Sequence, residues 1–361
     1  MTDSRALSDI GWDELQALDI ADRAAFFNHS DGEHHVLMAQ QFSRERMDAI
    51  GHLATCIRQI AKEEEGARFL QHLLWTKRTM LYFTQPSSRT FLSFSSACRI
   101  VGMDRGEVRD IAISSEVKGE TREDSVRTFS SYYDMIIMRT EIGGFAERMA
   151  WLLAHAGRPV PIINAGSGSD QHPTQALLDI YTLQRSFEKR GGIDGKSTVF
   201  VGDLMRGRTV RSLAQLLSAY DDVRMIFVAP DKLQIREDIL AMLRSANVPY
   251  ELTDDFESTI AQADAIYMTR VQDEWDNTPG ETGSIDISRF SFREEHLRVL
   301  SPDAVLMHPF PRRHEIEPQV DHDPRAVYWR QMRNGMWVRA ALIAGLFGRE
   351  QAILDYHDAN V

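Results

Sequence analysis

The chain has 361 residues, 43% of them hydrophobic and 26% charged, enough for about two ordinary domains with ample core. A formal net charge of −12 argues against a broad nucleic-acid or anionic-membrane surface, so any anion must be held in a local basic pocket. Two cysteines, Cys56 and Cys98, give neither a disulfide framework nor a metal spacing and read as small buried apolar residues.

In chain order, residues 1–34 read as an N-terminal extension, with a short helix around 12–26 and then the polar "NHSDGEHH". The first residues lack a signal-peptide pattern, and no apolar run approaches a membrane span, so the expectation is a cytoplasmic protein. The pair His34-His35 fits an exposed loop better than a metal site. Residues 43–75 carry a helical pattern, with Glu63-Glu64-Glu65 on a solvated face. Short apolar runs then alternate with helical patterns. Strands are predicted at 79–83, 134–139 and 160–165, followed by helices at 88–101, 145–155 and 173–187. The charged, Gly-rich "EKRGGIDGK" (188–196) is the best linker candidate. Beyond it come strands 198–202, 225–229, 265–268 and 304–307, with helices 208–219 and 234–245 and a last helix at 334–349. Strands separated by helices predict parallel sheets. The fold class is α/β, with two doubly wound parallel-sheet domains and an active-site cleft between them. The expected division is 35–187 plus 331–361 against 188–330.

Several strand-to-helix junctions carry chemistry. "QPSSRTFLSF" (85–94) places Ser87, Ser88, Arg89 and Thr90 at a helix start. Backbone N–H groups there lack intrahelical partners, and the helix dipole adds positive charge, so the junction suits an anion. A plain helix cap is the other reading. Phe91 falls on a stripe with Phe94, Cys98 and Val101 and should pack inward. "GSDQHPTQALLDIYTL" (168–183) puts His172 just before Pro173 at the first helical position, with Gln175 in the first turn. A neutral imidazole there can donate a hydrogen bond to a carbonyl. "VFVGDLMRGRTVRSLAQLL" (199–217) holds Arg208 at a Gly-containing turn but lacks G-x-G-x-x-G, so a dinucleotide reading is weak. Arg270 and Gln272 follow a strand end in "YMTRVQDEW", and "MHPFPRRHEI" is a Pro-bounded turn. Arg89, Arg139, Arg208 and Arg270 all stand at carboxyl ends of predicted strands, where open α/β sheets bind ligands. That set suits polyanionic substrates. It does not suggest a Ser/His/Asp triad, a paired-carboxylate hydrolase or a metal site.

Taken together, "SSRTF", "SSEVKGET", "IIMRT", "NAGSGSDQHPTQALLD", "GDLMRGRTVRSL", "MTRVQ" and "HPFPR" resemble the aspartate branch of the aspartate/ornithine carbamoyltransferase family, over about residues 36–350. The resemblance implies carbamoyl transfer from carbamoyl phosphate to L-aspartate, in pyrimidine biosynthesis, with no cofactor and no metal. It implies carbamoyl-phosphate binding by Ser87, Ser88, Arg89, Thr90, Arg139, His172 and Gln175, together with Ser114 and Lys118. The last two would reach in from a neighbouring subunit, making the unit a homotrimer or a multiple of trimers with shared active sites. Arg89, Thr90, Arg139, His172 and Lys118 would carry the catalytic work. Lys118, Arg208, Arg270, Gln272 and Phe310 would line the aspartate site. Regulatory or dihydroorotase subunits are partners that the family admits; nucleic acid and membrane are not expected.

Four positions depart from the family pattern: Gln85, Phe91, Trp275 and Phe310. Gln85 and Trp275 replace charged residues that help hold the family's two domains closed, which reads as a rebuilt closure interface. A different acceptor amino acid, or a non-catalytic scaffold homologue, therefore stays open beside the aspartate reading. A nicotinamide-dependent enzyme rests on the glycine turn alone.

Overall fold

The computed structural model describes residues 5–29, 32–109, 119–168, 171–272 and 288–361. The chain divides into two compact units, Met1–Thr174 with Gly335–Val361, and Gln175–Asn334. Among the described residues no helix is long and apolar enough to cross a membrane.

In the first unit, the N-terminal segment forms α1 (Trp12–Ala17), α2 (Ile20–Ala25) and a minimal antiparallel pair, β1 (Asn28–His29) with β2 (Gly32–Glu33). Asp19 interrupts the expected single helix by capping α2, its side chain accepting from the Ala21 N–H. Helices α3 (Arg44–Ile60) and α4 (Glu64–His72) follow in place of one long helix. A Cβ at Gly66 would lie 2.2 Å from the Ile60 carbonyl oxygen, so only glycine lets α4 start this close to the end of α3. The strands are β3 (Arg78–Phe83), β4 (Asp104–Val108), β5 (Met135–Thr140) and β6 (Ile162–Ser167), all parallel in the order β4-β3-β5-β6. Helices α5 (Ser88–Ile100), α6 (Arg122–Tyr132) and α7 (Phe145–His155) connect them. Strand β5, "MIIMRT", is buried at every position, as a central parallel strand must be.

The N-terminal segment belongs to this core. Ile10, Leu15 and Phe27 are fully buried in one cluster with Tyr82, Ile136 and Met149, and Trp151 Nε1 donates to the Ile10 carbonyl at 2.8 Å. His35, expected in an exposed loop, is buried. Its Nδ1 accepts from the Ile162 N–H at 3.1 Å, while the neighbouring Val36 bridges to Ile163 of β6. It thus serves the sheet edge. Both cysteines are free and buried, and burial pushes the Cys98 thiol up to about 12.

Helix α8 (Pro173–Phe187) leads into the second unit. Its strands are β7 (Ser197–Val201), β8 (Arg224–Val228), β9 (Tyr250–Thr253), β10 (Ala265–Met268) and β11 (Val305–Met307), parallel in the order β11-β10-β7-β8-β9. Helices α9 (Arg208–Leu217), α10 (Glu237–Ser245) and α11 (Phe256–Ile260) pack with them, and Val199, Ile226, Ile266, Phe292 and Leu306 share one core. Helix α12 (Tyr328–Leu346) returns the chain to the first unit, and α13 (Glu350–Asn360) lies against α3. The two parallel sheets match the expected α/β class. The strands β1, β2, β4 and β9 and the helices α6, α11 and α13 are additions to the elements expected from the sequence.

Candidate active site

In the first unit, β3 and β5 bring Phe83 and Arg139 into register. The N–H groups of Thr84 and Gln85 both donate to the Arg139 carbonyl, at 2.9 and 3.3 Å, so the chain leaving β3 crosses the end of β5. It then enters α5 with Ser87 at the N-cap, and the Ser87 hydroxyl makes no capping hydrogen bond. The cap reading therefore does not account for this hydroxyl. A hollow of about 560 Å³ opens here, lined by Phe83, Pro86, Ser87, Ser88, Arg89 and Arg109. Ser88 and Arg89 are exposed and Thr90 is buried. Phe91, Phe94, Cys98 and Val101 all face inward, and Phe91 meets Phe83 edge-on with ring centroids 5.5 Å apart.

Arg139 is buried and its Nη1 donates to the Ala165 carbonyl at 3.0 Å, which turns the guanidinium toward the end of β6. There Asn164 shapes the turn. Its amide donates to the Leu37 carbonyl and to Ser167 Oγ, at 3.0 and 3.1 Å, and its Oδ1 accepts from the Gly166 N–H at 2.8 Å. Gly168 N–H donates to the Thr140 carbonyl at 3.0 Å. His172, buried, follows immediately before α8. Ser87, Ser88, Arg89, Thr90, Arg139 and His172 thus stand at the carboxyl ends of three adjacent parallel strands. Sequence reasoning passed over Asn164 and Arg109. Asn164 lay inside a motif already singled out, whereas no apolar pattern marked the strand before Arg109. Ser114, Lys118 and Trp275 lie outside the described residues.

In the second unit, Gln175 sits in the first turn of α8, and its Nε2 donates to Asp179 Oδ1 at 2.9 Å. Asp179 is fully buried and also accepts from Gln331 Nε2 and the Tyr267 hydroxyl, each at 2.7 Å. Burial, then the Asp179 carboxylate, pushes the Tyr267 phenol well above its ordinary range, so it stays a donor.

Arg208 opens α9, and Arg270 and Gln272 follow β10. Strands β7 and β10 are neighbours, with Val201 opposite Met268. Past their ends the two loops are clipped together by Asp203, another residue the sequence reading did not single out. Its Oδ1 accepts from the Arg206 N–H and its Oδ2 from the Gln272 N–H, both at 3.1 Å. Arg206 Nη1 adds a bond to the Gln272 carbonyl at 3.2 Å. Burial pushes the Asp203 carboxyl up, and the two N–H donors and the Arg206 and Arg270 charges offset only part of that. A Cβ at Gly202 would lie 2.3 Å from the Thr269 carbonyl oxygen, so glycine is what allows the loops this close.

The turn after β11 is equally fixed. The Phe310 N–H donates to His308 Nδ1 at 2.8 Å, which leaves Nε2 to donate to Glu315 at 2.6 Å. Phe310, at φ 56° and followed by a cis bond to Pro311, packs its ring with His308, Tyr328 and Trp329 at centroid distances of 5.3, 5.9 and 5.0 Å.

Two parallel α/β units, each gathering arginines at its strand carboxyl ends, define a protein built to hold anionic ligands. Family models agree on what kind. The aspartate/ornithine carbamoyltransferase carbamoyl-P binding domain matches residues 34–185, and the Asp/Orn binding domain matches 194–346. The chain is 40% identical over 309 residues to aspartate carbamoyltransferase 1, chloroplastic, of Pisum sativum, covering 85% of this chain and 77% of that one. It is 41% identical over 276 residues to the aspartate carbamoyltransferase catalytic subunit of Thermoplasma volcanium, covering 76% and 87%. Among solved structures, aspartate transcarbamoylase from Trypanosoma cruzi in complex with N-(phosphonacetyl)-L-aspartic acid superposes with a TM-score of 0.76 at 33% identity, covering 86% of this chain and 94% of that one. The catalytic subunit of M. jannaschii aspartate transcarbamoylase gives 0.74 at 34%, covering 87% and 98%. The chain belongs to the aspartate/ornithine carbamoyltransferase family.

Proposed function

We propose that the protein transfers the carbamoyl group of carbamoyl phosphate to the amine of L-aspartate, giving N-carbamoyl-L-aspartate and phosphate, in pyrimidine biosynthesis. The carrying observation is the cluster Ser87, Ser88, Arg89, Thr90 and Arg139 at strand carboxyl ends, inside the segment matched by the carbamoyl-P binding model. The Trypanosoma cruzi relative has been solved with carbamoyl phosphate and aspartate, and with carbamoyl aspartate and phosphate.

The chemistry asks for positioning and charge stabilisation. The amine attacks the carbonyl carbon, negative charge grows on the carbonyl oxygen, the bond to the phosphate oxygen breaks, and the departing phosphate takes up the proton that the amine nitrogen loses. In this reading Ser87, Ser88, Arg89, Thr90 and Arg139 hold the phosphate. Arg89, Thr90, Arg139 and His172 donate to the carbonyl oxygen as it becomes anionic. Gln175 holds the carbamoyl NH2 by accepting from it with its amide oxygen, while its Nε2 stays on Asp179. Arg208 takes one aspartate carboxylate, and Arg270 with Gln272 takes the other. Ser114 and Lys118 come from a neighbouring subunit of a homotrimer. We place the carbamoyl-phosphate domain at 35–187 and 331–361 and the amino-acid domain at 188–330, whereas the compact units divide at Thr174 and Asn334, so that α8 from Gln175 on and residues 331–334 group with the second unit.

A second reading, a different acceptor amino acid, is favoured by one observation: the Phe310 ring, where the family has leucine, is walled by Tyr328 and Trp329. Purified protein incubated with carbamoyl phosphate and a panel of amino acids decides between them. Carbamoylated product with aspartate alone supports the first reading. Product only with another amine replaces it, and no product with any amine overturns both.

A further inference from the structure

We infer that Arg109 is an additional arginine of the phosphate pocket, supplied from the strand beside β3 and steadied on the ring of Phe91. The inference rests on the carbamoyl-phosphate reading above and adds a residue that neither the motifs nor that reading includes.

Register places it. Strands β3 and β4 pair Tyr82 with Val108, so Arg109, one residue on, stands level with Phe83. On the other side of β3, Phe83 is level with Arg139. One arginine therefore flanks the end of β3 from each neighbouring strand. Arg109 lines the same hollow as Ser87, Ser88 and Arg89. Its guanidinium carbon lies 4.2 Å from the centroid of the Phe91 ring, well inside cation–π range. That ring is only 4% exposed and is braced edge-on by Phe83, so it is a fixed platform. A guanidinium held over a ring by its flat face keeps its N–H edges free to donate, which an ammonium cannot do. Among the described residues Arg109 forms no ion pair, so no described carboxylate neutralises it. Phe91 thereby serves two ends: its buried edges fill the core, and its outer face aims a cation at the mouth of the pocket.

The test uses the full-length protein and the variants Arg109→Ala, Arg109→Lys and Phe91→Leu. Inorganic phosphate binding is measured by calorimetry, and KM and kcat are measured for both substrates. One charged hydrogen bond lost from ground-state binding predicts a rise of about tenfold in phosphate Kd and in KM for carbamoyl phosphate for Arg109→Ala, with kcat changed less than about threefold. KM for the amino acid should stay within about twofold, since that substrate does not touch this edge. Arg109→Lys should fall between wild type and Ala, and Phe91→Leu, which keeps an apolar core, should weaken phosphate by about threefold through loss of the platform. Wild-type phosphate Kd in Arg109→Ala overturns the inference, as does a fall in kcat with phosphate Kd unchanged. If wild-type protein transfers no carbamoyl group, the functional reading fails, and the same phosphate titrations still decide the role of Arg109.

Discussion

At the scale of single residues, the side chains that organise the site differ from those that face the ligand. Asp203 is the clearest case. One buried carboxylate satisfies the N–H groups of Arg206 and Gln272 at once, and so sets the loop that carries Arg208 against the loop that carries Arg270. Asp203→Ala leaves both donors without an acceptor, at a cost of about 1–3 kcal/mol each. Asp203→Asn keeps the shape but can accept with one atom only. Both variants should raise KM for the amino acid by about tenfold or more while KM for carbamoyl phosphate moves little. Steady-state kinetics on each substrate checks this; equal effects on the two would show that Asp203 supports the whole fold and not these loops.

Glu315 makes a second residue-scale prediction, with a sign. Burial raises its carboxyl, but the hydrogen bond from His308 and nearby N–H groups outweigh that and hold it below the ordinary value of 4.5. In acid the unfolded chain then binds a proton before the folded chain does. The stabilisation is complete above 4.5 and is lost as pH falls through the lowered folded value. Thermal unfolding followed from about pH 6 to 3 should fall less steeply for Glu315→Gln than for wild type, since glutamine has no such proton to take up. Parallel acid limbs in the two proteins would remove Glu315 from the account.

At the scale of elements, legibility followed burial. Central strands such as β5 and β7 announce themselves because they are buried on both faces and carry unbroken apolar runs, "MIIM" and "VFV". The edge strands β4, "DRGEV", and β9, "YELT", were not legible, because their exposed faces carry charge and glycine. Arg109 was hidden with β4, whereas Arg139, Arg208 and Arg270 could be found because apolar strands point to them. The break between α3 and α4 was masked by one continuous helical period, with Gly66 the only local sign. The packing of the N-terminal segment was hidden for a different reason: its apolar residues are split between two short helices with charged neighbours, yet Ile10, Leu15 and Phe27 are all fully buried against the first sheet's core. Leu15→Ala should therefore cost about 2–5 kcal/mol, as for a core leucine and not a surface one. Chemical denaturation measures it, and a loss below about 0.5 kcal/mol would show that the N-terminal extension adds little to the core.

At the scale of the whole molecule, the proposed trimer makes the sharpest demand, because it asks one chain to complete its neighbour. Lys118 is read as acting in an adjacent subunit, while Arg208 acts in its own. Lys118→Ala and Arg208→Ala homotrimers should each be nearly inactive. When the two are mixed at equal amounts and reassembled, a working site needs a pocket from a Lys118→Ala chain and a loop from an Arg208→Ala chain. Random cyclic assembly meets that condition at about one site in four, so activity should recover to about a quarter of wild type. Sites built within single chains would contain one defect each however the chains were mixed, and recovery would stay at background. Native mass spectrometry of the mixture, with one variant isotopically labelled, shows that subunits exchanged, so a null result with exchanged trimers would count against shared sites and leave the family assignment untouched.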